Sequence, residues 1–268
     1  MVSEISLTFT AYHSPLTTIL IMSEIEFQTG VIRPVECFQQ GWELIKDQYW
    51  LFFAVTFVGL LLGSFTFYIL LGAMYCGIYK AMLRKMNGER ATFEDLFKGF
   101  NYFAQGLIAT LVFVVPAIFC MLVTYASMFA MMFSSIDSRG QIDPNAILPL
   151  YGVIFGEGIV MAIILGCIHA FITFAFPLIV ERDMKGWDAV KLSAKAVWAN
   201  LSGVIGLILG EFVIGFAGYL VCGVGLYFVL PLMFAGVLVA YRKVFPFLNN
   251  QSFNPPPPDA FRGAGSYN

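Results

Sequence analysis

Four long stretches of this chain are almost free of charged side chains, and they constrain its fold more than any other feature. Residues 48–79, 99–136 and 158–180 contain no Asp, Glu, Lys or Arg, and residues 196–241 contain only Glu211. About 20 apolar residues in a helix cross the roughly 30 Å hydrocarbon layer of a bilayer. Only 12% of all residues are charged, which is about half the share in a soluble domain. The sequence therefore excludes a soluble enzyme domain, a coiled coil and a disulfide scaffold, and it predicts an all-α, polytopic transmembrane helical bundle.

The lengths of the apolar stretches predict six transmembrane spans, with five as the alternative. The six are expected at about residues 42–62, 66–86, 102–133, 151–180, 201–219 and 224–243. The number of spans depends on how residues 48–79 fold. This stretch is too long for one comfortable span and too short for two. A hairpin that turns near Gly63 and Ser64 gives six spans, whereas a single long helix gives five and puts the N-terminus outside.

Basic residues indicate how the spans are oriented. Lys and Arg cluster in residues 80–98 and 181–198 and recur in the C-terminal tail, whereas residues 137–157 contain Arg139 alone. Cytoplasmic loops of membrane proteins carry the excess of basic residues. We therefore expect six spans with the N- and C-termini both cytoplasmic.

Three short segments before the spans are amphipathic. Residues 34–45, 92–100 and 184–201 place apolar side chains, several of them Trp or Phe, at helical spacing opposite polar ones. Such helices lie in the headgroup layer with aromatic anchors, so we expect short cytoplasmic amphipathic interfacial helices. Each segment precedes a pair of spans, which suggests three similar units, although the cytoplasmic flanks of any membrane protein share this pattern. Thr92 and Asp95 have the spacing of a capping box.

The two ends of the chain are expected to lie outside a transmembrane domain of residues 34–245. Residues 1–33 form an N-terminal extension predicted to be disordered. Residues 1–21 contain no Lys or Arg and are interrupted by Pro15, which is unlike a signal peptide. We expect residues 1–21 to be dispensable, with Met22 as an alternative start. Residues 246–268 form a Pro-rich cytoplasmic tail predicted to be disordered, and a ligand for a proline-recognising partner is the alternative.

Several weak motifs resemble those of a known group of membrane proteins. They are residues 41–46 (GWELIK), 93–100 (FEDLFKGF), 176–179 (FPLI) followed by Asp183, and 223–232, which run from GVG to PL. Together they resemble uncharacterised bacterial inner-membrane proteins related to the membrane domain of some glycerophosphoryl diester phosphodiesterases, over about residues 34–245. The resemblance implies a multi-helix membrane domain. Because the motifs include no phosphodiesterase domain, it implies no hydrolysis of lipid headgroups.

Motifs for catalysis or cofactor binding are missing from the sequence. It has no GxSxG, HExxH, GxxxxGK[ST] or GxGxxG motif. Five cysteines are scattered singly, which favours small buried apolar residues over a metal or redox site; they are Cys37, Cys76, Cys120, Cys167 and Cys222. We expect no enzymatic activity, no cofactor or metal, and no nucleic acid as a partner.

Three ionisable residues lie within or beside the apolar stretches, where a charge costs about 2.5–3.5 kcal/mol. They are Glu157, His169 and Glu211. His169 is expected about 16 Å from the inner end of its span near Val180, and Glu211 about 15 Å from the inner end near Leu201. Because these depths match, the two residues are candidates for an intramembrane polar pair, whereas Glu157 is expected at the outer interface. The pair is either a proton-coupled or polar-substrate site, or a structural hydrogen bond between two helices.

Glycine and basic residues give two further predictions. Glycines four residues apart let helices approach closely, and three such pairs are expected at helix contacts: Gly59 and Gly63, Gly152 and Gly156, and Gly206 and Gly210. Basic residues after the fourth span are expected near anionic lipid headgroups at the cytoplasmic face; they are Arg182, Lys185, Lys191 and Lys195. The lipid bilayer is the main expected partner, and the sequence leaves the oligomeric state open.

Two functions fit these observations. The first is a non-enzymatic protein that organises or assembles components of the membrane. The alternative is a small transporter or permease that uses the midplane residues Glu211 and His169. Broken helices around a polar cavity beside Glu211 favour transport, whereas a dry and fully packed midplane argues against it.

Overall fold

The computed structural model describes residues 27–134, 144–221 and 223–247, without the side chains of residues 144–150. Within these ranges the chain forms helices and turns and no strand, so the all-α prediction is confirmed. The α-helices are α1 (Pro34–Ile45), α2 (Tyr49–Phe65), α3 (Leu71–Met86), α4 (Phe103–Ser134), α5 (Pro144–Ile172), α6 (Ala175–Arg182), α7 (Gly186–Ala199), α8 (Leu201–Leu220) and α9 (Gly225–Val244). Two 3₁₀ helices, Lys46–Gln48 and Phe93–Tyr102, precede α2 and α4.

Five helical segments among the described residues are long and apolar enough to cross a membrane. They are Pro34–Phe65, Phe93–Ser134, Tyr151–Arg182, Leu201–Leu220 and Gly225–Val244. Their outward surfaces are apolar as well: Phe119, Phe155 and Phe212, for example, are 66%, 73% and 69% exposed. Apolar side chains on this scale are unfavourable against water and are stable in hydrocarbon. The chain is therefore a multi-pass membrane protein.

The hairpin predicted within residues 48–79 is present. Helices α2 and α3 pack against each other and are joined by residues 66–70, slightly after the predicted turn at Gly63 and Ser64. Phe67 and Tyr68 adopt positive φ angles in this turn. The alternative, a single long helix, is wrong. Helix α3 has 16 residues, which is shorter than a usual span, so the sixth span stays a prediction.

The order of elements repeats three times along the chain. The first unit contains α1, α2 and α3; the second contains Phe93–Tyr102, α4 and α5, which continues into α6; the third contains α7, α8 and α9. Each amphipathic segment packs on the hairpin of a different unit: Phe93–Tyr102 on α3, α7 on α4 and α5, and α1 on α9. This cyclic packing order joins the last unit to the first.

The amphipathic segments divide their apolar residues between the bundle and the surface. Leu96, Val190 and Val197 are buried, whereas Trp187 and Trp198 are exposed. Exposed Trp side chains at these positions have the placement expected of aromatic anchors in the headgroup layer. The capping box at the start of Phe93–Tyr102 is confirmed.

Residues at both ends of the domain pack on the bundle. The Gln28 N–H donates to the Val244 carbonyl at 2.8 Å, and Ile32 is buried. The predicted disorder of residues 1–33 is therefore wrong for residues 27–33, because their backbone and side chains contact the helices. It is also wrong at the start of the tail, since Arg182 Nη2 donates to the Pro246 carbonyl at 3.3 Å. Residues 1–26, including the segment expected to be dispensable, and residues 248–268 lie outside the described residues.

Glycines let α3 touch its neighbours backbone to backbone. A Cβ atom at Gly72 would lie 2.2 Å from the Gly106 carbonyl oxygen on α4, and one at Gly99 would lie 2.1 Å from the Ala73 carbonyl oxygen. Only glycine fits at such distances, so these positions fix how closely α3 approaches α4 and Phe93–Tyr102. The sequence analysis missed these glycines because they are not spaced four residues apart.

The three predicted glycine pairs have different outcomes. A Cβ atom at Gly59, Gly63, Gly206 or Gly210 would meet a neighbouring atom at 2.4 to 3.0 Å, so both pairs lie at helix contacts. Gly152 and Gly156 have no described atom within 4 Å of such a Cβ position. The prediction of a packing face is wrong for this pair, because that face of α5 points away from the bundle.

Candidate functional site

The structure brings Glu211 and His169 together. Glu211 lies at the middle of α8 and His169 near the C-terminal end of α5. Their side chains approach to 3.7 Å between His169 Nε2 and Glu211 Oε2, which is an ion-pair distance but longer than a hydrogen bond. The Glu211 side chain is 17% exposed and that of His169 is 51% exposed. Helices α5 and α8 are therefore adjacent, and the two residues lie at the same level along them. Glu211 and His169 do not hydrogen-bond to each other, so both side chains can still bond to another group.

A cavity of about 680 Å³ lies beside this pair. Residues from all three units line it: Tyr68, Leu71, Tyr75 and Tyr79 from the first; Thr110, Phe113, Val114, Ala117, Ile118, Met121, His169, Ile172, Thr173 and Phe176 from the second; and Ile208, Glu211, Phe212, Leu230, Met233, Phe234 and Val237 from the third. Tyr68, Ile118, Met121 and Phe212 are about half exposed or more. The cavity is therefore open to the surroundings of the apolar helices and is not sealed within the bundle.

The polar groups of the cavity are few and lie among apolar side chains. Thr110 is 4% exposed, and its hydroxyl has no hydrogen-bond partner among the described residues. A buried polar group without a partner is costly, and the Thr110 hydroxyl oxygen has almost no accessible surface because it faces Gly72 where α3 contacts α4. The Thr173 hydroxyl, by contrast, donates to the His169 carbonyl at 2.9 Å. Tyr75 and Tyr79 project from α3 within electrostatic reach of Glu211.

Aromatic rings form much of the cavity wall. The Tyr75 ring lies 5.0 Å from the Phe176 ring and 5.4 Å from the Phe234 ring, edge to face in both cases. Tyr79 makes a similar contact with Phe234 at 5.5 Å. Edge-to-face contacts fix the orientation of rings in a core, so this wall is a preformed apolar surface.

Helix α5 is interrupted next to the cavity. It ends at Ile172, and α6 begins at Ala175. The Phe174 N–H does not continue the helical hydrogen bonding and instead donates to the Ser193 hydroxyl of α7 at 3.1 Å. Thr173 at the break lines the cavity. In transporters, interrupted helices near the bilayer midplane supply backbone and side-chain groups to a binding site.

Two prolines lie inside helices that line the cavity. Pro116 of α4 precedes the lining residue Ala117, and Pro231 of α9 follows the lining residue Leu230. A proline within a helix removes one backbone hydrogen bond and bends the helix. Pro116 and Pro231 therefore each remove one helical hydrogen-bond donor next to a residue that lines the cavity.

Glu157 lies outside the cavity, between α4 and α5. The Ser127 hydroxyl donates to Glu157 Oε2 at 2.6 Å, and the other carboxylate oxygen is buried without a described partner. Helix α4, the first helix of the hairpin, therefore shields the Glu157 carboxylate, and its expected depth at the outer interface stays a prediction. Ser127 acts as the helix-to-helix hydrogen-bond donor.

The four predicted headgroup-binding residues differ in their surroundings. Lys185, Lys191 and Lys195 are exposed on α7 or just before it, and the Lys191 ammonium lies 5.8 Å from the Trp187 ring. Arg182 is partly buried and contacts the C-terminal residues, so it takes part in bundle packing and is less available to lipid.

No metal site is formed by the described part of the chain, in which no three His, Cys, Asp or Glu residues are grouped. Cys37, Cys76 and Cys120 are buried as predicted. The prediction is wrong for Cys167, which is exposed on the outward face of α5, and Cys222 lies outside the described residues.

The sequence analysis identified the acid and the imidazole of this site but missed its hydroxyl groups. It considered only ionisable residues, whereas Thr110, Tyr75 and Tyr79 are uncharged. The two tyrosines are four residues apart within residues 48–79, and this spacing on one helix face was the available signal.

No family model matches this chain, and no curated protein and no solved structure is detectably similar to it. Function therefore has to be inferred from the cavity and its residues.

Proposed function

We propose that this protein is a small membrane transporter that binds an amphipathic organic molecule in the cavity beside Glu211 and His169. The cavity itself carries the proposal: about 680 Å³ of space lies midway along the apolar helices, beside an acid and an imidazole. Sites for small organic molecules are typically 300–1,000 Å³, mostly apolar, with a few converging polar groups. The break between α5 and α6 and the two prolines supply the discontinuous helices that alternating access uses.

The alternative, a protein that organises or assembles membrane components, requires no open space at the centre of the bundle. A fully packed midplane would favour this alternative, but the described residues leave a cavity beside Glu211 and His169. The open cavity therefore weighs towards transport. We also propose that the protein acts without catalysing a reaction, since the described residues that line the cavity show no nucleophile hydrogen-bonded to the side chain of a base.

The membrane and orientation are part of the proposal. We place the protein in a bacterial inner membrane with both termini in the cytoplasm, supported by the basic residues of 80–98 and 181–198. The exposed lysines and tryptophans of α7 support contact with anionic lipids on the same side. The resemblance to the membrane domain of phosphodiesterases stays a prediction.

The proposal is tested with the purified full chain and three probes of similar shape: tetraphenylphosphonium, triphenylphosphine oxide and tetraphenylborate. Native mass spectrometry from a neutral detergent measures binding, and uptake into proteoliposomes measures transport. We expect one-to-one binding and saturable uptake of at least one probe. Ala117→Trp fills the cavity and should abolish both, whereas Leu122→Trp adds the same ring to an exposed position of α4 and should change neither.

Equal elution profiles and melting temperatures of the two variants establish that both fold. Absence of binding by all three probes, or binding that Ala117→Trp leaves unchanged, contradicts a ligand site in the cavity. Binding without saturable uptake contradicts transport and supports the membrane-organising alternative.

A further inference from the structure

The charge of the cavity lining is one-sided. Glu211 is its one carboxylate, His169 is its one basic residue, and neither Lys nor Arg occurs among the lining residues. An anion entering this space meets no Lys or Arg among the described lining residues, whereas a cation meets the acidic side chain of Glu211. Moving an unpaired charge into an apolar site is expensive, so the lining selects for the sign opposite to that of Glu211.

The carboxylate has unused hydrogen-bonding capacity. Its nearest polar partner, His169 Nε2, lies at 3.7 Å, beyond the range of a hydrogen bond. No other described side chain or backbone group donates to it. Glu211 Oε1 and Oε2 can therefore accept from an N–H group of a ligand in the cavity that Glu211 lines.

The rings around the carboxylate suit a cation as well. Tyr75 and Tyr79 both contact Phe234 in the wall that Glu211 shares. Aromatic faces attract organic cations by about 0.5–2 kcal/mol each, and more strongly when water is excluded. An acid and several rings in one apolar space are the combination that recognises a positively charged nitrogen or phosphorus centre with apolar substituents.

We infer that the cavity selects lipophilic organic cations, with Glu211 as the counter-charge and the Tyr75, Tyr79 and Phe234 rings as the apolar wall. This inference rests on the proposed function and names the chemical class of its substrate. The opening beside Tyr68, Ile118, Met121 and Phe212 faces the surroundings of the apolar helices, so such a molecule enters from the bilayer, where lipophilic cations accumulate.

The three probes used above separate this inference from the proposed function, because they differ in charge and little in shape. We expect tetraphenylphosphonium to bind the wild-type chain at least about tenfold more tightly than triphenylphosphine oxide, and tetraphenylborate to bind weakest. In Glu211→Gln the affinity for tetraphenylphosphonium should fall about tenfold, while that for triphenylphosphine oxide should stay the same. Glu157→Gln removes a glutamate outside the cavity and should bind all three probes like the wild type.

His169→Gln distinguishes a counter-charge from a structural pair. It removes the one basic side chain that the structure places beside Glu211, so tetraphenylphosphonium should bind this variant as tightly as the wild type or more tightly. An equal loss of affinity in His169→Gln and Glu211→Gln would contradict the inference, because it would assign a structural role to the pair. Binding of the neutral or anionic probe that is as tight as that of the cation, and blocked by Ala117→Trp, would overturn the cation selectivity and leave the cavity as a ligand site.

Discussion

Asp95 shows at the scale of one residue how charge is stabilised at the edge of this bundle. Its carboxylate has no exposed surface and accepts hydrogen bonds at 2.7 Å from Arg84 Nη1, 2.7 Å from Lys98 Nζ and 2.9 Å from the Thr92 N–H. Burial opposes ionisation, but the donors from Lys98, Thr92 and Arg84 outweigh it and lower the pKa of Asp95 to about 2. The group lies before α4, outside the apolar part of the span.

We predict that Asp95→Asn lowers the free energy of unfolding by about 2 kcal/mol. Removing one partner of a buried ion pair costs roughly 3–5 kcal/mol, and the half-exposed Lys98 reduces this figure. Thermal unfolding of the detergent-solubilised chain measures the change. Glu94→Gln, at the neighbouring exposed position, is the control and should unfold like the wild type.

The same carboxylate predicts a pH dependence. Its folded-state pKa of about 2 lies below the ordinary value near 4, so its stabilising contribution is complete above pH of about 4. The contribution is lost as the pH falls from about 4 towards 2. We expect the difference between the wild type and Asp95→Asn to be constant above that range and to shrink within it. A difference that grows on acidification would contradict this account.

Single residues were predictable where their position alone determined their role. Counting helical rise from the ends of two spans placed Glu211 and His169 at one depth, and the structure brings them to 3.7 Å. The Thr110 hydroxyl was not predictable, since its lack of a partner depends on how α3 and α4 cross. The hydrogen bond from Ser127 of α4 to Glu157 was not predictable either, because it depends on how α4 packs against α5.

At the scale of elements, α3 is held by contacts that leave no room for a side chain. A Cβ atom at Gly99 would lie 2.1 Å from the Ala73 carbonyl oxygen and 2.5 Å from the Gly77 nitrogen. We predict that Gly99→Ala lowers the free energy of unfolding by about 2 kcal/mol, since backbone atoms must move apart. Thermal unfolding measures it. Gly158→Ala, where no described atom lies within 4 Å, should be neutral or up to about 1 kcal/mol stabilising, because alanine favours a helix.

The elements themselves were predictable to the extent that hydropathy determines them. The long apolar stretches correspond to α2 to α6, α8 and α9, and the chain does turn between the spans predicted at residues 201–219 and 224–243. The break at Thr173 and Phe174 was not predicted, because residues 158–180 read as one continuous apolar stretch. It is stabilised by the Ser193 hydroxyl, which belongs to a helix later in the chain, so no local pattern reveals it.

At the scale of the whole molecule, the cyclic packing order makes each unit depend on the other two. The joint between the third and first units is narrow, since a Cβ atom at Gly41 of α1 would lie 2.9 Å from the Gly236 nitrogen of α9. We predict that Gly41→Leu separates α1 from α9 and costs roughly 3 kcal/mol. Backbone hydrogen exchange should then increase in all three units, because each unit loses stability when the contact between the first and third units is broken.

A local change would look different. Exchange that increases only in α1 and α9 would contradict a cooperative cycle. Gly156→Leu introduces the same side chain at a position of α5 with no described neighbour within 4 Å, and it should leave the exchange of every unit unchanged.

The pattern of three similar units was visible in the sequence, but their packing was not. Amphipathicity shows that residues 34–45 and 184–201 each have a face to bury, without showing which helix receives it. The partner is selected by shape at positions such as Gly41 and Gly236, which carry no side chain. The cavity was unpredictable for the same reason, since it is the space left where three units meet.

The cyclic order brings the two ends of the described chain to one place: the Gln28 N–H bonds the Val244 carbonyl at 2.8 Å, and the Phe27 and Phe245 rings lie 6.1 Å apart. The point at which the polypeptide starts is therefore nearly arbitrary with respect to its architecture. A gene opened at the exposed turn of residues 87–90, with the old ends linked, would encode the same units in rotated order and keep every interface. Because the two ends are adjacent, the fold is compatible with a circular permutant of this kind.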